Sequence, residues 1–158
     1  VAISPNDDFT AGQVLTATEC NQFPRGVMAR ATSTTSYTLT TSDVIATGMT
    51  VTFTAVADRY YRITYFEPQA QTATALSSTS ATIRQTNAAG TILNSTVFQN
   101  ESGLQDQMGM TCISTNTFSA GSITVVGCAK ATSTTGTPQM VRSATVIALL
   151  LVEDIGPA

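Results

Sequence analysis

Three cysteines, ten carboxylates, seven cations and no histidine or tryptophan set which reactions the side chains of this 158-residue chain could perform. Without imidazole there is no Ser/His/Asp or Cys/His nucleophile, no His-ligated zinc and no histidine general base. Carboxylate, lysine or thiol chemistry is what remains. Paired carboxylates would have to converge on one substrate bond, yet the adjacent acids Asp7/Asp8 and Glu153/Asp154 point to opposite faces wherever the chain is extended. Glu67, Glu101, Asp43, Asp58 and Asp106 stand alone and read as solvated loop charges. No Asp-x-Asp-x-Asp-Gly loop supplies a calcium cage, and three cysteines without a Cys-x-x-Cys pair make no zinc site. The expectation is a non-enzyme with no catalytic residue, no metal and no cofactor.

The thiols and aromatic rings remain as structural or binding groups. Cys112 and Cys128 each lie eight residues from Ala120, so a hairpin symmetric about that residue would set them opposite one another. Bridged and free states both stay open, because a slip of one residue destroys the geometry and cytosolic thiols stay reduced. Tyr61 and Tyr65 alternate in phase and are expected to face inward with Phe53, whereas Tyr60 and Arg62 fall on the opposite face. That pair is the candidate surface contact for a host glycan. Seven scattered cations and a net charge of −3 argue against nucleic-acid binding, which needs clustered Lys or Arg to displace counterions. The longest apolar run, Val146 to Val152, is far below the roughly 18 residues of a membrane helix. The first residues show no cationic, apolar leader pattern, so synthesis in the cytosol is expected. Two Asn-x-Ser/Thr sequons, at Asn94 and Asn100, are what a chain so rich in hydroxyls yields by chance.

The elements that would hold these groups follow from the same composition. Thr (30) and Ser (14) far outnumber the 17 charged residues, and a β-branched residue suits a half-buried pleated surface better than a helix. Met49, Val51, Phe53 and Ala55 alternate with three threonines, and Tyr61, Ile63 and Tyr65 alternate with Tyr60, Arg62 and Thr64. These are two strands with period two, expected to pair as a hairpin, the second ending at Pro68. Further strands are expected at Val27–Ala31, Tyr37–Thr40, Ala81–Gln85, Ile92–Phe98, Met108–Thr117, Ile123–Ala129 and Ser143–Val152. The last is apolar on both faces, so it reads as a central strand covered on both sides and halted by Glu153 and Asp154. About nine short strands with Gly- and Ser-rich turns predict an all-β, antiparallel, jelly-roll-like sandwich over residues 27–158.

Residues 1–26 read differently. Thr16 followed by Glu19 is a capping box, with Leu15 and Cys20 placed as a hydrophobic staple and Pro24 as the stop; this predicts one helix of about seven residues. A helix so short needs something to pack on, either its own domain, as an ordinary tied-down chain end, or a partner; in the second reading the segment is a docking arm, with Phe9, Val14, Leu15, Phe23 and Arg25 as its contact residues.

Several segments carry a family resemblance. They are Thr-Ala-Gly-Gln-Val-Leu-Thr-Ala at 10–17, running through Asn-Gln-Phe-Pro-Arg-Gly at 21–26; Gly48 to Thr64; and Leu-Leu-Val-Glu-Asp-Ile-Gly-Pro at 150–157. They resemble a family of small tailed-bacteriophage virion proteins described as capsid-decorating, head-fibre or minor tail proteins. The resemblance covers both ends and one internal region, and only the strand pattern extends it between about 66 and 140. Cys20, and Asp58 at a turn where glycine is usual, depart from it. It implies a non-enzymatic component of the virion surface, often a homotrimer. Its partners would be the major capsid protein or the tail and neck proteins of the same particle. One arm and one domain suit a capsid surface; a tail appendage or a glycan-binding module is the alternative.

Overall fold

In the computed structural model, residues 12, 14–73, 78–99 and 106–158 are described, with backbone only at 18 and 106–108. A helix, α1 (Ala17–Cys20), precedes ten strands: β1 (Gly26–Ser33), β2 (Tyr37–Thr38), β3 (Val44–Ala55), β4 (Arg59–Thr72), β5 (Ser78–Gln85), β6 (Ile92–Gln99), β7 (Asp106–Thr117), β8 (Gly121–Ala131), β9 (Gln139–Met140) and β10 (Ala148–Pro157). Every pairing is antiparallel. One sheet runs β1-β10-β4-β7, and the short pair β9-β2 continues it beside the far end of β4. The other runs β3-β8-β5-β6. Apart from the short β2 and β9, successive strands shuttle between the two sheets except at β5–β6, and the last strand lies beside the first. That strand order is a jelly roll, so the expected all-β, antiparallel, jelly-roll-like sandwich is what the chain forms.

The core follows from period two. Phe53, Tyr61, Ile63, Tyr65, Ile83, Val125, Leu150 and Val152 are buried between the sheets. The ring centroids of Phe53 and Tyr61 lie 5.1 Å apart, with Phe118 5.9 Å from each. Burying such side chains contributes about 1.5–3 kcal/mol apiece. The inward placement of Tyr61 and Tyr65 with Phe53 is as expected.

Several pairings differ from expectation. The strands around 49–55 and 60–65 form no hairpin: β3 pairs with β8 in one sheet and β4 with β10 and β7 in the other. Residues 56–58 are a corner between layers, with Asp58 at φ 58°, and the Tyr61 hydroxyl accepts the Val56 N–H at 2.8 Å across it. Cys112 and Cys128 likewise do not face one another. Cys112 pairs with Tyr65 in one sheet and Cys128 with Ile45 and Thr82 in the other; both thiols are free.

Pro68 does not end β4. It sits in a bulge where the register with β7 shifts between Glu67 and Ala70, a place that needs no ladder N–H. Glu153 and Asp154 do not halt β10, which runs on to Pro157. The strand begins at Ala148, because Ser143 and Val146 close a turn on each other, and it is central but buried on one face only. The helix spans four residues, not seven. Turn-like bonds from Gln22 N–H to Glu19 and from Phe23 N–H to Cys20 carry the winding on to Phe23. Leu15 and Cys20 are exposed, so the staple is not buried.

Candidate docking surface

The arm begins with a well-defined helix start. Thr16 Oγ1 accepts the Glu19 N–H at 3.2 Å, and Glu19 Oε2 accepts the Thr16 N–H at 2.6 Å. Such reciprocal bonds satisfy two otherwise orphan donors. Val14 is 85 % exposed, and Leu15, Phe23 and Arg25 have exposed surface as well. Phe9 lies outside the described residues.

What fixes the root of the arm is a residue that its sequence did not single out. Arg59 is 4 % exposed, at the start of β4. Its Nε and Nη2 donate to the Asp154 carboxylate at 2.5 and 2.8 Å. Its Nη1 and Nη2 donate to the Asn21 and Phe23 carbonyls at 2.5 and 2.6 Å. The hydrogen bond to Asp154 holds the guanidinium more firmly protonated than usual. Four charge-assisted bonds therefore bind the chain at 21–23 to β4 and β10. A groove of about 380 Å³ lies over this junction, lined by Asn21, Gln22 and Arg25 on one side and Val56, Asp58 and Pro157 on the other. It holds one exposed cation, Arg25, and one exposed carboxylate, Asp58.

Tyr60 and Arg62 do fall on the outer face of the β1-β10-β4-β7 sheet, Tyr60 half-buried and Arg62 exposed. Arg62 is engaged there: its Nε and Nη2 donate to Glu153 Oε2 at 3.0 and 2.8 Å. An ion pair this open to solvent contributes at most about 1 kcal/mol. Asn94, in one of the two sequons, donates its side-chain amide to the Ile113 carbonyl across to the other sheet.

Two carboxylates read as solvated loop charges have side chains that are not solvated: Glu67, which is in a strand, and Asp43, in the loop just before β3. Glu67 lies in β4 at 0 % exposure. Arg142 Nε donates to its Oε2 at 3.0 Å, and the Tyr65 hydroxyl donates to its Oε1. Arg142 also donates to the Thr47 carbonyl at 2.7 Å and lies 4.8 Å from the centre of the Tyr37 ring. Asp43 is buried against Arg84, with Nε at 3.2 Å from its Oδ2 and Lys130 Nζ at 3.9 Å. Asp58 is the exposed corner residue; Glu101 and the Asp106 side chain lie outside the described atoms. Burial, then the nearby Asp43 carboxylate, pushes the Cys128 thiol up to about 11, and burial raises that of Cys112. Both stay protonated and unreactive at neutral pH. Among the described residues no three His, Cys, Asp or Glu side chains group as a metal site.

No family model matches the chain, and no curated protein matches it. Among solved structures it is similar to the Eiger TNF of S. frugiperda, at 10 % identity and a TM-score of 0.49, covering 84 % of this chain and 94 % of that one. CsCBM6-3 from Clostridium stercorarium, in complex with cellobiose, is similar at 13 % identity and a TM-score of 0.25, over 78 % and 86 % of the two chains. A chain of infectious bursal disease virus, Gx strain, is similar at 15 % identity and a TM-score of 0.27; 85 % of this chain matches 41 % of that one. Likenesses this distant assign no function to the chain.

Proposed function

We propose that this chain is a non-enzymatic structural protein of a tailed-bacteriophage virion. In this reading it is a homotrimer that decorates the capsid surface and docks through its N-terminal arm onto the major capsid protein. The observation that carries the reading is the arm: Val14 and Leu15 are exposed while the chain just beyond α1 is clamped by a buried arginine. Apolar groups held out from a fixed root gain by burial against a partner, at about 25 cal/mol per Å² removed from water. The family resemblance names that partner as a particle component. On the sandwich itself, Arg62 is tied to Glu153, which favours particle docking over glycan binding through Tyr60 and Arg62.

The test is a truncation before the clamp. Removing residues 1–20 leaves Asn21 and Phe23 in place for Arg59. The shortened chain is expected to fold with an unchanged far-ultraviolet circular dichroism spectrum and to be lost from purified particles. Incorporation at the wild-type level overturns the docking role. Antibody labelling of intact particles separates heads from tails; label confined to tails replaces the capsid location with a tail appendage.

A further inference from the structure

Two parts of the chain meet at the arm root, and they are fastened differently. The body side is fixed from within. At the corner 56–58 the Val56 N–H donates to the Tyr61 hydroxyl, and the Ala158 N–H donates to the Asp58 carbonyl. Beside it Arg59 and Asp154 are joined by two bonds between β4 and β10. None of these bonds involves the arm. On the arm side, the Asn21 and Phe23 carbonyls accept from Arg59, while the N–H groups of Cys20, Asn21, Gln22 and Phe23 turn back into the arm itself, to the carbonyls of Thr16, Ala17, Glu19 and Cys20.

That asymmetry decides what separation costs. Taking one member out of a buried ion pair leaves a bare charge, but lifting 21–23 away leaves Arg59 still paired with Asp154 and opens its other N–H groups to water. Bonds to two carbonyls are then exchanged for bonds to solvent, an exchange that keeps the net value of a hydrogen bond small.

A seam and a pivot are in place as well. The groove of about 380 Å³ runs between Asn21, Gln22 and Arg25 on the arm and Val56, Ala57, Asp58 and Pro157 on the body. Asn21, Gln22, Arg25, Ala57 and Asp58 are all exposed along it. Gly26, where the chain enters β1, sits at φ 77°, and a Cβ built on it would meet no atom within 4 Å. Open space thus surrounds a residue that crosses freely between left- and right-handed backbone. A segment with exposed side chains and bonds that water replaces is the kind that opens while the rest of a domain stays folded.

We propose that the arm root is a latch: the chain at 21–25 leaves and rejoins the Arg59–Asp154 pair about a pivot at Gly26 while the sandwich stays folded, and the clamped state sets the direction in which the arm projects. This goes beyond particle docking and stands without it.

The experiment is amide hydrogen exchange, read residue by residue by NMR on the full-length chain at low urea concentrations. A four-residue helix does not hold its own bonds in water, so the Asn21, Gln22 and Phe23 amides report whether the root is seated. In the wild type they are expected to be protected about 100-fold less than the Ile63 and Val152 amides of the central strands, through an opening that urea hardly affects because it exposes little surface. Arg59→Lys keeps a charge beside Asp154 but loses the fork that reaches both carbonyls; it should lower protection at 21–23 about tenfold more than at Ile63 and Val152. Gly26→Ala disfavours the left-handed backbone of the clamped state and should lower protection at 21–23 about fivefold more than in the central strands; it carries the test should Arg59→Lys not fold. Wild-type root amides that exchange through the same opening as Ile63 and Val152 overturn the latch. So do two variants that leave the ratio of protection unchanged. A Gly26→Ala chain that loses protection equally in the root and in the central strands makes Gly26 part of the body and overturns the proposed pivot.

Discussion

Glu67 has no exposed surface and shares its two oxygens among Arg142, Tyr65 and Tyr37, the Tyr37 hydroxyl lying 3.4 Å from Oε1. A buried ion pair stabilises little over an apolar substitute, but removing one member leaves a bare charge and costs about 3–5 kcal/mol. The tyrosines make the cluster sensitive to alkali. Burial first, and the Glu67 carboxylate second, hold the Tyr37 hydroxyl far above its ordinary value of 10.0; burial does the same for Tyr65, with Tyr37 and Glu67 adding to it. Both phenols keep their protons in the folded chain at a pH where an unfolded tyrosine loses its own. Their contribution is therefore fully present below pH 10 and lost as pH rises through it, at about 1.4 kcal/mol per pH unit for each tyrosine. Urea midpoints measured from neutral pH to about 11 should fall steeply above 10. In Tyr37→Phe the slope should drop by one tyrosine's share; a slope identical to wild type would show that Tyr37 ionises freely in the folded state.

At the scale of elements, the spacing between the sheets is set where β8 passes β4. A Cβ built on Gly127 would lie 2.7 Å from the ring of Tyr65, nearer than side-chain carbons approach, and Tyr65 is pinned at its other end by Glu67. Gly127→Ala should therefore overpack the core by about 1–3 kcal/mol, lowering Tm by roughly 2–4 °C per kcal/mol in a chain of this size. A variant that melts with wild type would mean that the layers can part there freely. The alternation that places Tyr65 inward was legible in the sequence, as were the capping box and the fold class, because each depends on neighbours a few residues apart. Partners were not. The strands flanking β4 are β10 and β7, brought there by the winding of the jelly roll, and a three-residue corner looks locally like the turn of a hairpin. The buried charges were legible in part. Arg59 and Glu67 fall in phase with Tyr61, Ile63 and Tyr65, and Asp154 falls in phase with Leu150 and Val152. With Glu153 and Asp154 read as the stop, Asp154 falls outside its strand, while Arg59 and Glu67, at the two ends of theirs beside the corner and Pro68, look like turn charges because a bulge that accommodates proline leaves no local mark.

At the scale of the whole molecule, Arg59 joins three distant parts of the chain. It lies at the start of β4, its carboxylate partner Asp154 is in β10, and its two carbonyl acceptors lie at the root of the arm. Asp154 also accepts the Gly156 N–H at 3.0 Å, and the Ala158 N–H is bonded to the Asp58 carbonyl at 2.9 Å, so the last residues close over the same corner. In the docking role proposed above, force on the arm would pass to the body through this junction. Asp154→Asn keeps the shape and removes the charge, leaving the guanidinium without its counter-ion in a site that is almost wholly buried. The expected loss is on the order of 3 kcal/mol, seen as a lower urea midpoint, together with faster cleavage by a non-specific protease near residues 21–25 under conditions where the sandwich stays folded. Glu153→Gln is the matched control: its partner Arg62 is half exposed, and the change should stay within about 1 kcal/mol with the arm no more open to protease. A destabilised Asp154→Asn sandwich whose arm root resists cleavage as well as wild type would show that Arg59 braces the sheet alone, and that something else holds the arm.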